Sequence, residues 1–191
     1  MHGYGVMSRE IVRELGNFQP THVIVHTGVG AQAASACASF WLAWGELRPY
    51  FIMVEPERAD CFFKSALAGE PVAVYGDLDT GMAGLACGEV SPAVWDILRQ
   101  GTDHFSTVSD LFALDSMRVF ANPEHGDPAI VLGETGAAGL ALLMAARAYQ
   151  PVWRNLGLRP DASVLLLGSE GDTDLEIYRE VVGRNADEIL S

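Results

Sequence analysis

Basic residues are scarce in this chain. It carries 12 Lys and Arg against 25 Asp and Glu over 191 residues, a formal net charge of −13. A surface that acidic repels nucleic acid and anionic membranes, which sets both aside as partners. Lysine is scarcer still, with Lys64 the single one. Cysteine is limited to Cys37, Cys61 and Cys87. An odd number with no CxxC pair excludes a disulfide framework and a zinc knuckle, and it suits a reducing compartment. Long apolar runs are missing as well. The longest, residues 137–146, falls well short of the roughly 20 residues that span a bilayer. The opening MHGYGVMSRE is not a basic and then apolar leader, so the cytoplasm is the expected compartment. No repeat, low-complexity tract or linker interrupts the chain.

What remains is half hydrophobic and long enough for one α/β domain over residues 1–191. The stretch that organises it is residues 21–44, THVIVHTGVGAQAASACASFWLAW. Val23, Ile24 and Val25 are a β-branched run suited to a strand buried on both faces. Gly28 and Gly30 then break the run, and an Ala-rich helical pattern follows. A strand, a glycine turn and a helix leave unpaired N–H groups, backed by the helix dipole, at the head of the helix. Phosphate is the natural occupant of such a turn, although an ordinary βα turn has the same residues. The spacing from Gly28 to Ala33 also meets the loose dinucleotide fingerprint, with Glu55 near the position of a ribose-binding acid. That pattern keeps a nicotinamide-dependent oxidoreductase open as an alternative.

Along the rest of the chain, β and α patterns alternate. Residues 8–15 read as a helix. YFIMVE at 50–55 reads as a strand, and residues 58–68 as a helix ending at Gly69. Residues 71–75 are a third strand candidate, followed by GDLDTGMAGLACGE at 76–89. So many small residues in a long loop suggest backbone packed closely against a ligand or another subunit. Ser91 and Pro92 supply an N-cap and a first-turn proline for a helix to Gly101. Residues 104–108 suggest a strand and 110–121 a helix, and NPEHGD at 122–127 a surface loop. Residues 129–132 lead into the glycine turn GETG at 133–136 and a long helix towards Trp153. SVLLL at 163–167 is the last strand, ending in the turn GSEG at 168–171 before a final helix at 175–182. Three strands ending in glycine turns can line one crevice outside the carboxyl ends of a parallel sheet.

THVIVHTGVGA, VEPERADC, GDLDTGMAGLACGE, GETGAAGL and GSEGDTD, in that order, resemble the C-terminal half of the diaminopropionate ammonia-lyase family. That family belongs to the tryptophan-synthase-β-like, fold type II group of pyridoxal-phosphate enzymes. The likeness runs over nearly the whole chain. It implies a three-layer αβα fold with a mostly parallel sheet, the large-domain part of such an enzyme, and pyridoxal phosphate as cofactor. It further implies that Gly28, Val29, Gly30 and Ala31 cradle the cofactor phosphate, that Glu134 lies beside the ring, and that Ser169 meets the pyridine nitrogen as a neutral partner. The implied reaction is α,β-elimination from 2,3-diaminopropionate to pyruvate and ammonia.

The family's Schiff-base lysine lies in its N-terminal half, whereas Lys64 here sits in a helical pattern where the family requires none. The chain is therefore expected to be a cofactor-binding half, inactive alone, that takes a small amino-acid substrate and works as a homodimer or with a partner chain supplying the missing half. A non-catalytic phosphate-binding module that needs a partner is the alternative. No catalytic residue is assigned. His22 and His26 share a strand face without a third ligand at suitable spacing, so they read as buried or strand-end histidines and no metal site is assigned. Asp77 and Asp79 read as a solvated turn, Asp172 and Asp174 as caps of the last helix, and the four tryptophans as core or interface.

Overall fold

The structure is a computed structural model that describes residues 3–124 and 126–191. Its centre is a four-stranded parallel sheet: β1 (His22–His26), β2 (Tyr50–Pro56), β3 (His104–Val108) and β4 (Val164–Leu166), in the order β3-β2-β1-β4. Ile24 lies opposite Ile52 on one side and Leu166 on the other, so β1 is interior and every residue of it is buried. This is why its five positions show no polar and apolar alternation.

Alternate residues along the strands serve opposite layers. Val23, Val25, Phe51 and Met53 face a cluster built with α2 (Ala31–Trp44) and α4 (Pro92–Gly101), over which α1 (Tyr4–Leu15) packs through Met7, Ile11 and Val12. Ile24, Ile52 and Val54 face α5 (Asp110–Ala121) and α6 (Ala138–Ala148), with Trp153 of α7 (Gln150–Asn155) at the margin. Helices on both faces of a parallel sheet make the expected three layers. A third cluster joins Met117 of α5 to Tyr178 of α8 (Leu175–Val182) and to Ala186 of α9 (Ala186–Leu190).

Three expectations shift. Residues 71–75 and 129–132 form no strand, because each is held by isolated bonds rather than by a ladder. Val72 N–H donates to Ser65 Oγ at 2.8 Å and Val74 N–H to Gly88 O at 2.7 Å, whereas Ile130 N–H reaches Phe120 O at 2.9 Å. Two of the glycine turns thus follow strands, β1 and β4, and the turn at 133–136 follows irregular backbone. The helix expected from 58 begins only at Cys61 as α3 (Cys61–Ala68), and the long helix after Gly136 divides into α6 and α7 at Tyr149, just before Pro151.

Asp174 caps α8 as expected, its Oδ1 accepting from the N–H groups of Glu176 and Ile177 at 3.1 and 2.9 Å. Asp174→Ala should destabilise the chain by about 1 kcal/mol, read as a lowered urea midpoint at unchanged slope; an unmoved midpoint would mean that the cap contributes nothing. Among the described residues no helix is long and apolar enough to cross a membrane.

Candidate cofactor site

At the carboxyl ends of β1 and β4, between the two turns, lies a cavity of about 420 Å³, within the range of small-molecule sites. Gly28, Val29, Gly30 and Ala31 form one wall and Ser169 another. The first backbone bond of α2 runs from Ala34 N–H to Gly30 O at 2.8 Å. The helical N–H groups ahead of it, at residues 31–33, have no helical carbonyl to meet and are open to an anion, whereas Val29 N–H faces the Cys87 sulfur.

The turn is tightly packed. Gly30 has φ 92°, and a Cβ there would lie 2.4 Å from Phe62 Cζ and 2.9 Å from Val94 Cγ2. A Cβ on Gly28 would lie 3.0 Å from Cys87 Sγ and 3.2 Å from Gly84 O. The small-residue loop at 76–89 therefore packs its backbone on the first glycine turn, and Gly84, Leu85 and Cys87 complete that wall of the cavity. Asp110 anchors the loop through Thr80 Oγ1 at 2.5 Å and Gly81 N–H at 2.9 Å. Gly84 N–H also donates to Thr135 Oγ1 at 3.2 Å, which ties the loop to the turn at 133–136.

That turn interlocks with the one after β4. Gly133 N–H donates to Glu170 O at 3.2 Å and Thr135 N–H to Glu170 Oε2 at 3.1 Å. A Cβ on Gly136 would lie 2.6 Å from Glu170 O. The consequence for Glu134 is burial. Thr135 lines the cavity whereas Glu134 sits one residue behind it, 8% exposed. Burial pushes the Glu134 carboxyl above the ordinary carboxylate value, a hydrogen bond from its own backbone opposes this, and the negative charges of Glu170 and Asp174 add to the rise.

Three further residues of the cavity carry buried polar atoms with no protein partner: Thr27 Oγ1, Gln32 Nε2 and His26 Nδ1. Buried polar atoms are rarely left unpaired, and these three belong to residues that line the cavity. Neither Lys nor Arg lines the cavity, so an anion in it would be held by neutral donors. The glycine turn and the free N–H groups at the head of α2 fit a phosphorylated ligand. Thr27 and Gln32 flank the glycine turn in sequence, and adjacency to Gly28 and Ala31 was the available signal for them. His26 and Thr135 carried no such signal, because they reach the cavity only through the pairing of separate turns.

Other residues fall outside. Lys64 lies on α3 with Nζ 2.9 Å from Asp60 Oδ1, half exposed and away from the cavity. Asp77 and Asp79 are exposed. His22 is fixed by Thr21 Oγ1 at 2.7 Å and Leu156 O at 3.1 Å. Glu55 does not line the cavity, which counts against the nicotinamide alternative that would have it face a ribose. It is 2% exposed, and its two carboxylate oxygens accept from Phe62 N–H at 3.0 Å and Phe63 N–H at 2.8 Å, at the start of α3. An acid at the end of a buried strand is drawn to the free N–H groups of the next helix.

An open parallel sheet with a neutral, glycine-built anion cradle at its carboxyl edge is that of an α/β cofactor-binding protein. Residues 1–156 match the family described as pyridoxal-phosphate dependent enzyme, and the chain belongs to that family. Over 188 residues it is 43% identical to diaminopropionate ammonia-lyase of Escherichia coli strain K12, covering 95% of this chain and 47% of that protein. The Salmonella typhimurium enzyme is 40% identical over 197 residues, covering 97% and 49%. The chain thus spans about half the length of the curated relatives it matches. The crystal structure of the Escherichia coli ammonia lyase in complex with an aminoacrylate–pyridoxal-phosphate azomethine intermediate superposes with a TM-score of 0.85, at 41% identity, over 94% of this chain and 47% of that one. The processed form of a threonine deaminase from Solanum lycopersicum, 20% identical with a TM-score of 0.77 over 95% of this chain and 48% of that one, shares the fold. The fold is that of the fold type II enzymes, as the five motifs implied.

Proposed function

We propose that this chain is the cofactor-holding half of an ammonia-lyase that eliminates ammonia from 2,3-diaminopropionate to give pyruvate. In this reading the turn of Gly28, Val29, Gly30 and Ala31, with Thr27 Oγ1 and Gln32 Nε2, holds the phosphate of pyridoxal phosphate. Ser169 Oγ meets the pyridine nitrogen, and Glu134 supports the turn beside the ring, its carboxyl raised above the ordinary value by burial. When bound, the cofactor supplies an electron sink for breaking bonds at the substrate α-carbon. The contribution of this chain is to bind and orient the cofactor and to present a neutral hydroxyl, that of Ser169, to the ring nitrogen. A neutral partner leaves that nitrogen unprotonated.

The observation that supports the reading is the glycine-built turn at the head of α2 that walls the cavity beside Ser169, with no lysine lining it. Lys64, paired with Asp60 on α3, does not line the cavity and is not read as the covalent handle. The lysine and the acid–base groups of the elimination then come from a second polypeptide or segment, and the chain alone is inactive. Without that supply the same cavity supports a non-catalytic binding module.

An absorbance titration of the purified chain with pyridoxal phosphate, before and after borohydride and followed by mass analysis, tests this. The expected result is a saturable change of the cofactor spectrum with no borohydride-stable adduct on Lys64. Pyruvate should form from 2,3-diaminopropionate only after a polypeptide bearing the lysine half of a relative is added. A stable adduct on Lys64 would overturn the reading. Binding that is never rescued to activity by the added half would leave the binding module instead.

A further inference from the structure

We propose that His26 is a positioning residue for Ser169, donating from Nε2 to the Ser169 oxygen so that the serine hydroxyl is left to donate into the cavity. This rests on the reading of the cavity as a pyridoxal-phosphate site. The geometry is specific. His26 ends β1, Ser169 follows β4 in the neighbouring position, and Nε2 and Oγ are 2.6 Å apart. Both residues line the cavity, and His26 is 2% exposed.

A serine hydroxyl has one proton and two acceptor positions. Left to itself it rotates, and it can meet a ring nitrogen either as donor or as acceptor. A donor fixed on its oxygen removes that freedom. The choice of tautomer follows from the other ring nitrogen. Nδ1 is buried without a partner of hydrogen-bond geometry. With the proton on Nε2, the 2.6 Å contact to Ser169 is a donated bond and Nδ1 is an unused lone pair; with the proton on Nδ1, the Leu167 carbonyl beside the ring makes no bond of hydrogen-bond geometry to it, and a poorly paired buried N–H is the more costly case. The ring also stays uncharged. Burial pushes His26 down to about 4, the Leu167 carbonyl beside it opposing only in part. His22 on the same strand has both nitrogens occupied by Thr21 and Leu156 and does not face the cavity.

The consequence is directional. Ser169 offers a proton, so a pyridine nitrogen docked against it is held as an acceptor in its neutral form.

The test has two parts on the 191-residue chain. In the first, ¹⁵N spectra of the histidine rings are recorded without ligand. His26 should show the Nε2-protonated tautomer, unchanged from pH 8 to pH 5.5, with Nε2 shifting in Ser169→Ala; the Nδ1-protonated tautomer would overturn the proposal whatever the cavity binds. In the second, pyridoxine 5′-phosphate, which needs no lysine, and inorganic phosphate are titrated into wild type, His26→Leu and His26→Gln. Loss of one hydrogen-bond donor corresponds to about tenfold in affinity. His26→Leu should lose about that much for pyridoxine 5′-phosphate and nothing for inorganic phosphate, and His26→Gln, which retains a donor, should recover most of it. The absorbance of the bound pyridine should report the neutral ring in wild type and His26→Gln. Equal affinity and equal spectra in all three would overturn the role of His26. Binding of inorganic phosphate without pyridoxine 5′-phosphate, alongside the expected tautomer, would instead sink the cofactor reading and leave the His26–Ser169 device in place.

Discussion

Gly30→Ala should lower the melting temperature of the chain by about 10 °C and abolish saturable binding of pyridoxal phosphate. Two costs add. An alanine in the left-handed region is strained by roughly 1–2 kcal/mol, and Gly30 has φ 92°. Its methyl group would also sit 2.4 Å from Phe62 Cζ, 2.9 Å from Val94 Cγ2 and 3.1 Å from Leu98 Cδ1. Phe62 and Leu98 are wholly buried and Val94 nearly so, so none moves without displacing its neighbours, and overpacking of this kind costs about 1–3 kcal/mol. A total near 3 kcal/mol corresponds to a shift of about 10 °C for a chain of this size. Relief of the clash moves the α2 N-terminus, and with it the N–H groups at Val29 and Ala31. Gly28→Ala is the graded comparison. Its Cβ meets Cys87 Sγ at 3.0 Å and Gly84 O at 3.2 Å, so it should disturb the loop at 76–89 more than the helix, with a smaller thermal shift. Thermal unfolding and a cofactor titration check both variants, and equal melting temperatures for wild type and Gly30→Ala would refute the packing argument.

The parts of this protein legible in sequence were those set by local chemistry. The buried β-branched run of β1, the proline opening α4, the Asp174 cap and the Ala-rich α2 each depend on residues within one turn or one strand, although Ser91 at the head of α4 makes no side-chain cap bond. The glycine turn at 28–31 belongs to this group. The misread segments, 71–75 and 129–132, are apolar enough for strands, but whether a segment joins a ladder is decided by a neighbour distant in sequence. The same limit applies to the site. Ser169 and Glu134 entered only through family resemblance, because nothing within GSEG or GETG says that the two turns interlock through Glu170. Glu55 satisfied a spacing rule for ribose recognition, yet its carboxylate is taken up by the N–H groups of Phe62 and Phe63. His26 read as a strand-end histidine, which it is; that its ring meets Ser169 follows from the parallel pairing of β1 with β4, a contact across 143 residues of chain.

His26 and Glu55 also set opposing dependences on pH, and a pair of variants should expose both. Burial raises the Glu55 carboxyl from 4.5 to about 7, against the N–H groups of Phe62 and Phe63 and the Cys61 thiol. The folded chain therefore holds a proton that the unfolded chain gives up above pH 4.5, and stability from this group falls as pH rises from 4.5 to 7. Burial lowers His26 from 6.5 to about 4. Here the unfolded chain takes up a proton that the folded chain refuses, so stability falls as pH drops from 6.5 to 4. Each pH unit within its window is worth about 1.4 kcal/mol, so each full span corresponds to about 3 kcal/mol. Between pH 4.5 and 6.5 the two slopes have opposite sign and nearly equal size, and they cancel in the wild type. Glu55→Gln should gain about 3 kcal/mol relative to wild type on going from pH 4.5 to 7, over a constant offset from the lost acceptor at Phe63. His26→Gln should gain a similar amount relative to wild type on going from pH 6.5 to 4. Taking differences from wild type at each pH removes the contribution of every other titrating group, provided the groups do not interact, and only the deleted group's slope remains. Urea unfolding of the three proteins at pH 4, 5.5 and 7 supplies the numbers. Parallel stability curves for wild type and Glu55→Gln would mean that the three donors hold Glu55 ionised despite its burial, and parallel curves for His26→Gln would mean that water or a neighbouring group reaches the imidazole and that its neutrality is not built into the fold.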